Sequence, residues 1–251
     1  MTAMDKSLTV VVPAFNEEQN ILSAIENVKG ALEGMDWEII VVNDGSSDQT
    51  GSLAEKKAKT DARVRVVHNE KNLGYGHAFQ RGVGLATRSY IGIFPGDNDM
   101  SAKSLLDLVE NIGDADMITA YMSDSKRRPW GRRCLSRLFV FLLSVLFGLP
   151  LKYYNGPFIC RRGLLQSLAI KSEGLTALAE CKIRLLKMGC TYKEIRFDHT
   201  GRQAGRSSAL RWKSIKQTLR NVAILFKDIY LTPRVLQQEP GRSTWKNALK
   251  Q

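Results

Sequence analysis

Cysteine pairs are absent from this sequence. Its four cysteines, Cys134, Cys160, Cys181 and Cys190, form no Cys-x-x-Cys motif and are joined by only three histidines. This spacing excludes a structural zinc site of the usual kind and points to reduced thiols in a cytosolic setting. A membrane-spanning segment is missing too: the apolar run Leu138–Leu149 has 12 residues, where a spanning helix needs about 20. Residues 1–7 (MTAMDKS) are polar and lead straight into a strand pattern, so no secretory signal is expected and the chain is read as cytoplasmic. No internal repeat is found. From Ser125 to Ser172 there is no acidic residue at all, against ten basic ones.

What is present bounds the answer from the other side. At 251 residues, 43% of them hydrophobic, the chain can bury a full core as one large domain, or as one domain with a helical extension, and a disordered chain is not expected. Residues 1–124 carry 11 Lys/Arg and 19 Asp/Glu, while residues 125–251 carry 26 and 6. The overall charge of +12 is therefore the sum of an acidic and a strongly basic half. The basic half makes a field attractive to phosphates, an anionic membrane surface or nucleic acid.

The first half alternates short β-rich runs with helical patterns. Leu8–Val12, Glu38–Val42, Val64–Val67, Tyr90–Phe94 and Met117–Ala120 read as strands. A helix is expected to start near Asn16, with Glu17 and Glu18 in its first turn and Ile21, Ala24, Ile25, Val28 and Leu32 as its buried stripe. Others are expected over Gly76–Ala86, Ser101–Ile112 and Thr176–Met188. The alternation predicts a mainly parallel α/β sheet between helices, in which ligands bind beyond the carboxyl ends of the strands. Those ends are polar: Pro13-Ala14-Phe15-Asn16-Glu17-Glu18, Asn43-Asp44-Gly45-Ser46-Ser47-Asp48 and Gly96-Asp97-Asn98-Asp99. Asp97 and Asp99, two apart, could approach one hard cation that shares its shell with substrate phosphates. An isolated Asp-x-Asp is also a common turn.

The strings VVPAFNEEQNI, EIIVVNDGSSDQT, NLGYGHAFQRGVGLA and FPGDNDM, in this order over residues 8–120, resemble the family 2 glycosyltransferases. That resemblance implies the GT-A fold of nucleotide-diphospho-sugar transferases. By position it assigns Pro13, Phe15, Glu17, Asn43, Asp44, Arg81, Asp97 and Asn98 to the nucleotide sugar, and Asp97 and Asp99 to a Mg²⁺ or Mn²⁺ ion on the diphosphate. Asn43 stands where the family usually has aspartate, and Ser101 where a third ligand, often glutamine, is common.

The segment RPWGRRCLSRLFVFLLSVLFGLPL resembles the polyprenyl-phosphate (dolichyl-phosphate) mannose and glucose synthases. The likeness implies a lipid-phosphate acceptor held by Arg132, Arg133 and Ser136. It also implies that Arg202-Gln203-Ala204-Gly205-Arg206-Ser207-Ser208 closes over the diphosphate, with Ser208 in place of the usual lysine and with Arg202 and Arg206 assisting catalysis. The family's Asp-x-Thr-Ser-Gly-Phe element is here Tyr153-Tyr154-Asn155-Gly156-Pro157-Phe158. Glu180 matches an acidic position near the acceptor; it could equally be a helix carboxylate paired with Arg184 at i,i+4. The run Leu138–Leu149 fits either a core helix or one lying in the membrane interface. The stripe Trp212, Ile215, Leu219, Val222, Phe226 and Ile229 within Ala209–Leu231 reads as a second basic amphipathic helix.

The expected organisation is a GT-A domain over residues 1–207, with a basic and apolar acceptor and membrane-interface segment at 125–150, followed by an amphipathic helix and loosely ordered tail at 208–251. The expected activity is metal-dependent, inverting hexosyl transfer from a UDP- or GDP-sugar to a polyprenyl phosphate, on the cytoplasmic face of the membrane. A phosphate acceptor is already an anion and needs no base, whereas a hydroxyl acceptor in glycan synthesis would need one, for which Glu180 is the candidate. A non-catalytic nucleic-acid or membrane binder leaves three acidic strand-end loops unexplained, so no nucleic-acid partner is expected.

Overall fold

The structure is a computed structural model that describes residues 6–122, 130–172, 174, 176–197 and 212–232, the side chains of residues 130, 132 and 212–215 excepted. Seven strands make one sheet: β1 (Leu8–Ala14), β2 (Trp37–Asn43), β3 (Val64–His68), β4 (Tyr90–Ile93), β5 (Met117–Met122), β6 (Phe158–Arg161) and β7 (Tyr192–Phe197). Their spatial order is β3-β2-β1-β4-β6-β5-β7. Every pairing is parallel except those of β6, which runs antiparallel to both β4 and β5. The helices are α1 (Ile21–Ala31), α2 (Thr50–Thr60), α3 (Tyr75–Leu85), α4 (Ala102–Glu110), α5 (Trp130–Phe147), α6 (Arg162–Gln166), α7 (Thr176–Lys187) and α8 (Trp212–Phe226), the last running into a π-helical turn at Lys227–Leu231.

Strand β1 is buried on both faces, which its run of β-branched residues permits. Val10 and Val12 join one core with Ile21, Ile25 and Leu105, while Val11 joins the opposite core with Phe79, Ile93 and Leu178. A third cluster lies beside the sheet, where Leu143 and Phe147 of α5, Ala179 and Ile183 of α7, and Val222 and Leu225 of α8 meet. The described part of segment 208–251 is thus anchored by packing.

One expectation on local structure is corrected. Helix α1 starts at Ile21, five residues after Asn16. Asn16 adopts φ 54°, its backbone N–H donates to Ser46 Oγ (3.0 Å) and its Oδ1 accepts from the Ser47 amide (2.9 Å). Residues 16–20 are spent on joining two loops before the helix can begin. Ser101, in the place of a common third metal ligand, caps α4: its side chain accepts from the Ser104 amide at 3.1 Å.

Helix α3 reaches β1 at Gly82, where an added Cβ would lie 2.3 Å from Val11 Cγ1. Alanine ordinarily favours a helix over glycine, but here it must displace a fully buried valine. Gly82→Ala is expected to destabilise the fold by about 1–3 kcal/mol in denaturant unfolding. Adding Val11→Ala should recover part of that loss in a double-mutant cycle.

Candidate active site

Because β1, β2 and β4 are parallel and adjacent, their carboxyl ends open on one edge of the sheet. The loops there are stitched together. The Glu17 amide donates to Thr50 Oγ1 (2.7 Å), the Glu18 amide to Asp48 Oδ2 (3.1 Å), and the Gln49 amide returns to Glu18 Oε2 (3.0 Å). Burial alone would raise the Asp48 carboxyl, but bonds from the Thr50 hydroxyl and amide more than offset it and hold its pKa below the ordinary value. The Glu17 carboxylate accepts from Asn20 Nδ2 at 2.7 Å. Phe15 stands outside this weave and is 43% exposed.

The second loop is built as support. Asp44 accepts from Asn69 Nδ2 (2.6 Å) and from the amides of Leu73 and Gly74 (3.0 and 2.8 Å). One buried carboxylate thereby fixes the stretch leading into α3. Arg81 donates to the His68 carbonyl at 2.8 Å and to Asn69 Oδ1, so it reaches Asp44 through Asn69. Asn43 lies 3.0 Å from His68 Nδ1 through its amide nitrogen, while its Oδ1 accepts from the Ser46 amide at 3.2 Å. That pattern makes Nδ1 the acceptor and puts the ring proton on Nε2, 3.0 Å from Glu55. An aspartate at 43 could not donate to a neutral Nδ1; the asparagine found there can.

The third loop follows β4. Gly96 packs directly on β1: its N–H donates to the Pro13 carbonyl at 3.2 Å, and a Cβ would come within 2.6 Å of that oxygen. Pro13 therefore contributes through its backbone. Asn98 takes φ 55°, is 4% exposed, and its Oδ1 accepts from Asn27 Nδ2 at 2.8 Å. Its side chain belongs to the α1 contact, and its left-handed backbone turns the chain between the two aspartates. The Asp99 amide donates to Asp97 Oδ1 at 3.3 Å. Two carboxylates on such a turn are a hard-oxygen donor pair suited to a divalent cation completed by phosphate oxygens. Among the described residues no group of three or more His, Cys, Asp and Glu is arranged to hold a metal alone.

Strand β6 brings in a fourth segment. Since it runs antiparallel to β4, its entrance lies at the exit of β4, and the turn Tyr153–Pro157 joins the same edge. The Tyr75 hydroxyl at the start of α3 is buried, which raises its pKa, and the nearby charges of Asp97 and Tyr153 raise it further. Sequence reading missed both tyrosines. Their signal was an aromatic residue inside each of two motif strings.

Glu180 is 2% exposed, and its carboxylate accepts from Arg184 Nε (2.8 Å) and from the amides of Lys171 and Ser172 (3.1 and 2.9 Å). Of its two sequence readings, the structure displays the i,i+4 partner of Arg184; an open general base is not what this geometry provides. Arg184 continues to Asp228 at 3.0 Å, which also pairs with Lys171 at 2.7 Å. Arg133 and Ser136 lie on α5. The Arg132 side chain, Arg202 and Arg206 lie outside the described residues. All four cysteines are free.

A mainly parallel sheet with acidic loops gathered beyond its carboxyl edge is the architecture of the GT-A nucleotide-sugar transferases. The chain belongs to glycosyl transferase family 2, whose model matches residues 9–167. It is 28% identical over 227 residues to the polyprenol monophosphomannose synthase of Mycolicibacterium smegmatis, covering 85% of this chain and 84% of that one. It is 29% identical to the dodecaprenyl-phosphate galacturonate synthase of Rhizobium johnstonii over 59% of this chain and 45% of the relative. Glucosyl-3-phosphoglycerate synthase from Mycobacterium tuberculosis, solved with Mn²⁺, UDP and phosphoglyceric acid, shares the fold at a TM-score of 0.68 and 21% identity, over 88% of this chain and 78% of that one. The chain spans less than half of several curated relatives, 29%, 45% and 24% of three of them.

Asp44→Asn should leave the sheet intact and loosen residues 69–74, because an amide cannot accept all three donors. The expected cost is about 1–3 kcal/mol, read as faster hydrogen exchange at the Leu73 and Gly74 amides.

Proposed function

We propose that the protein moves a hexose from a UDP- or GDP-linked sugar to a polyprenyl-phosphate lipid with inversion at the anomeric carbon. The observation that carries this reading is the meeting of Asp97 and Asp99 with two hydrogen-bonded acidic loops at one sheet edge. Relatives named as polyprenyl-phosphate sugar synthases support the acceptor, and a fold neighbour solved with Mn²⁺ and UDP supports the donor and the cation. Asp97 and Asp99 would hold Mg²⁺ or Mn²⁺, which when bound supplies positive charge to the departing diphosphate. Phe15, Glu17, Asn43 and Asp44 shape the nucleotide end, with Arg81 bracing that wall through Asn69. Arg202 and Arg206 add charge at the leaving group, and Arg132, Arg133 and Ser136 orient the acceptor phosphate. A phosphate oxygen attacks as an anion, so no general base is required.

Helix α5 supports a membrane-bound acceptor. One of its faces is covered by α7 and α8, yet Leu138, Phe141 and Val145 on the other are 61%, 65% and 65% exposed. This uncovered stripe sits in the 48-residue segment that lacks acidic residues, the combination that lays a helix in an anionic lipid interface. No described helix is long and apolar enough to cross a membrane. On this reading residues 1–207 are the catalytic domain, 125–150 its acceptor and interface segment and 208–251 an extension, working from the cytoplasmic face.

Transfer from a panel of nucleotide sugars, with and without a short polyprenyl phosphate, should appear only with lipid phosphate present and vanish with EDTA. Asp99→Ala should lower kcat/KM by roughly 10³-fold or more while circular dichroism stays unchanged; full activity in that variant and in EDTA would sink the metal reading. The double variant Phe141→Glu and Val145→Glu should stay folded and lose co-sedimentation with anionic vesicles, and unchanged binding would refute the α5 interface.

A further inference from the structure

Lys182 is a fully buried cationic side chain that the proposed chemistry does not use. It lies on α7 among Ala179, Cys181, Ile183 and Leu185 and is 0% exposed. Burial lowers its pKa from the ordinary lysine value to about 7. Methionine or leucine would fill the same space without that desolvation cost.

The groups facing it come from four elements. Its Nζ donates to the Tyr153 carbonyl at 3.3 Å and lies 5.7 Å from the centre of the Phe158 ring on β6. Glu194 on β7 favours its charged form from a distance, as does Cys181 on its own helix. Glu194 itself is taken up by Lys152, accepting from that backbone amide at 2.8 Å. Lys182 makes no ion pair with any described residue. Its one hydrogen bond goes to the turn that enters β6. That turn is tightly seated elsewhere too: a Cβ on Gly156 would lie 2.2 Å from the Ala120 carbonyl, and the Tyr154 hydroxyl donates to the Leu149 carbonyl at 2.8 Å.

We propose that Lys182 is a positioning residue for the donor crevice, holding the Tyr153–Pro157 turn at the sheet edge where the loop carrying Asp97 and Asp99 leaves β4. The inference rests on the donor-site reading above for its kinetic consequence and on the turn alone for its structural one. A protonated Lys182 makes a charge-assisted bond to the Tyr153 carbonyl, and the neutral amine a weaker one. The turn is therefore held more firmly below the lysine's transition than above it. Stability has the opposite dependence. Between about pH 7 and 10.5 the unfolded chain carries a proton on Lys182 that the native chain lacks, so this group makes stability rise with pH across that window.

The test compares wild type with Lys182→Met, which removes the donor, and Lys182→Gln, which keeps one. Lys182→Met is expected to fold and, between about pH 7 and 8, to lack the rise in thermal midpoint that Lys182 gives wild type; at higher pH the buried cysteines, whose pKa values are raised, act in the opposite sense. Amides of residues 153–156 should exchange about tenfold faster in Lys182→Met below pH 7, with sheet amides unchanged and Lys182→Gln near wild type. Their protection should fall with rising pH through about 7 in wild type only. The donor kcat/KM should drop about tenfold in Lys182→Met and recover in Lys182→Gln. Equal turn exchange in wild type and Lys182→Met overturns the inference, as does altered exchange with unchanged kinetics. If wild type transfers no sugar from any donor, the functional reading fails on its own. The second readout then becomes affinity for Mn²⁺ alone by calorimetry, expected to weaken severalfold in Lys182→Met; equal affinity overturns the positioning role.

Discussion

One reversed strand organises the candidate site. β6 enters the sheet antiparallel between β4 and β5, and this direction sets what can meet what. A parallel strand there would put its entrance, and the Tyr153 turn, at the opposite edge from Asp97. Reversal brings that turn beside the exits of β1, β2 and β4, where the acidic loops already gather. The same edge receives the exit of β5, from which the chain continues toward α5. The acidic loops and the chain leaving β5 therefore share one rim of the sheet, while at the opposite rim Glu38 accepts from Thr9 and Thr87.

The strands were legible because β-branched runs bounded by Asn, Asp and Gly have few other solutions, and the five found in the first half all stand within two residues of their expected ends. Local chemistry was less legible where a polar residue had two possible uses. Asn16 reads as a helix cap until Ser46 and Ser47, 30 and 31 residues away, are known to claim it. Asn98 reads as a ligand contact until its left-handed backbone turns its amide toward Asn27. Lys182 sits in the mixed stretch Glu180-Cys181-Lys182-Ile183-Arg184, and only the arrival of the Tyr153 carbonyl, 29 residues away, gives its ammonium a partner. In each case the deciding partner is distant in sequence, which no periodicity records.

Support and contact are divided between the loops in a consistent way. Asp44, Asn43 and Glu180 spend their polar atoms on backbone amides and neighbouring side chains, whereas Phe15 is exposed at the edge of the frame thus fixed. A rigid frame built from buried carboxylates suits a site in which orientation and charge, more than proton transfer, must lower the barrier.

The buried network of Glu180, Arg184 and Asp228 has a consequence for the molecule's response to salt. Its side chains are 2%, 16% and 18% exposed, out of reach of most mobile ions, while the ten basic residues of the acid-free 125–172 segment act through water over distances that salt shortens. Ionic strength therefore addresses the two electrostatic systems separately. Brine would screen the field of the basic segment yet leave the joint between α7 and the π-helical turn intact.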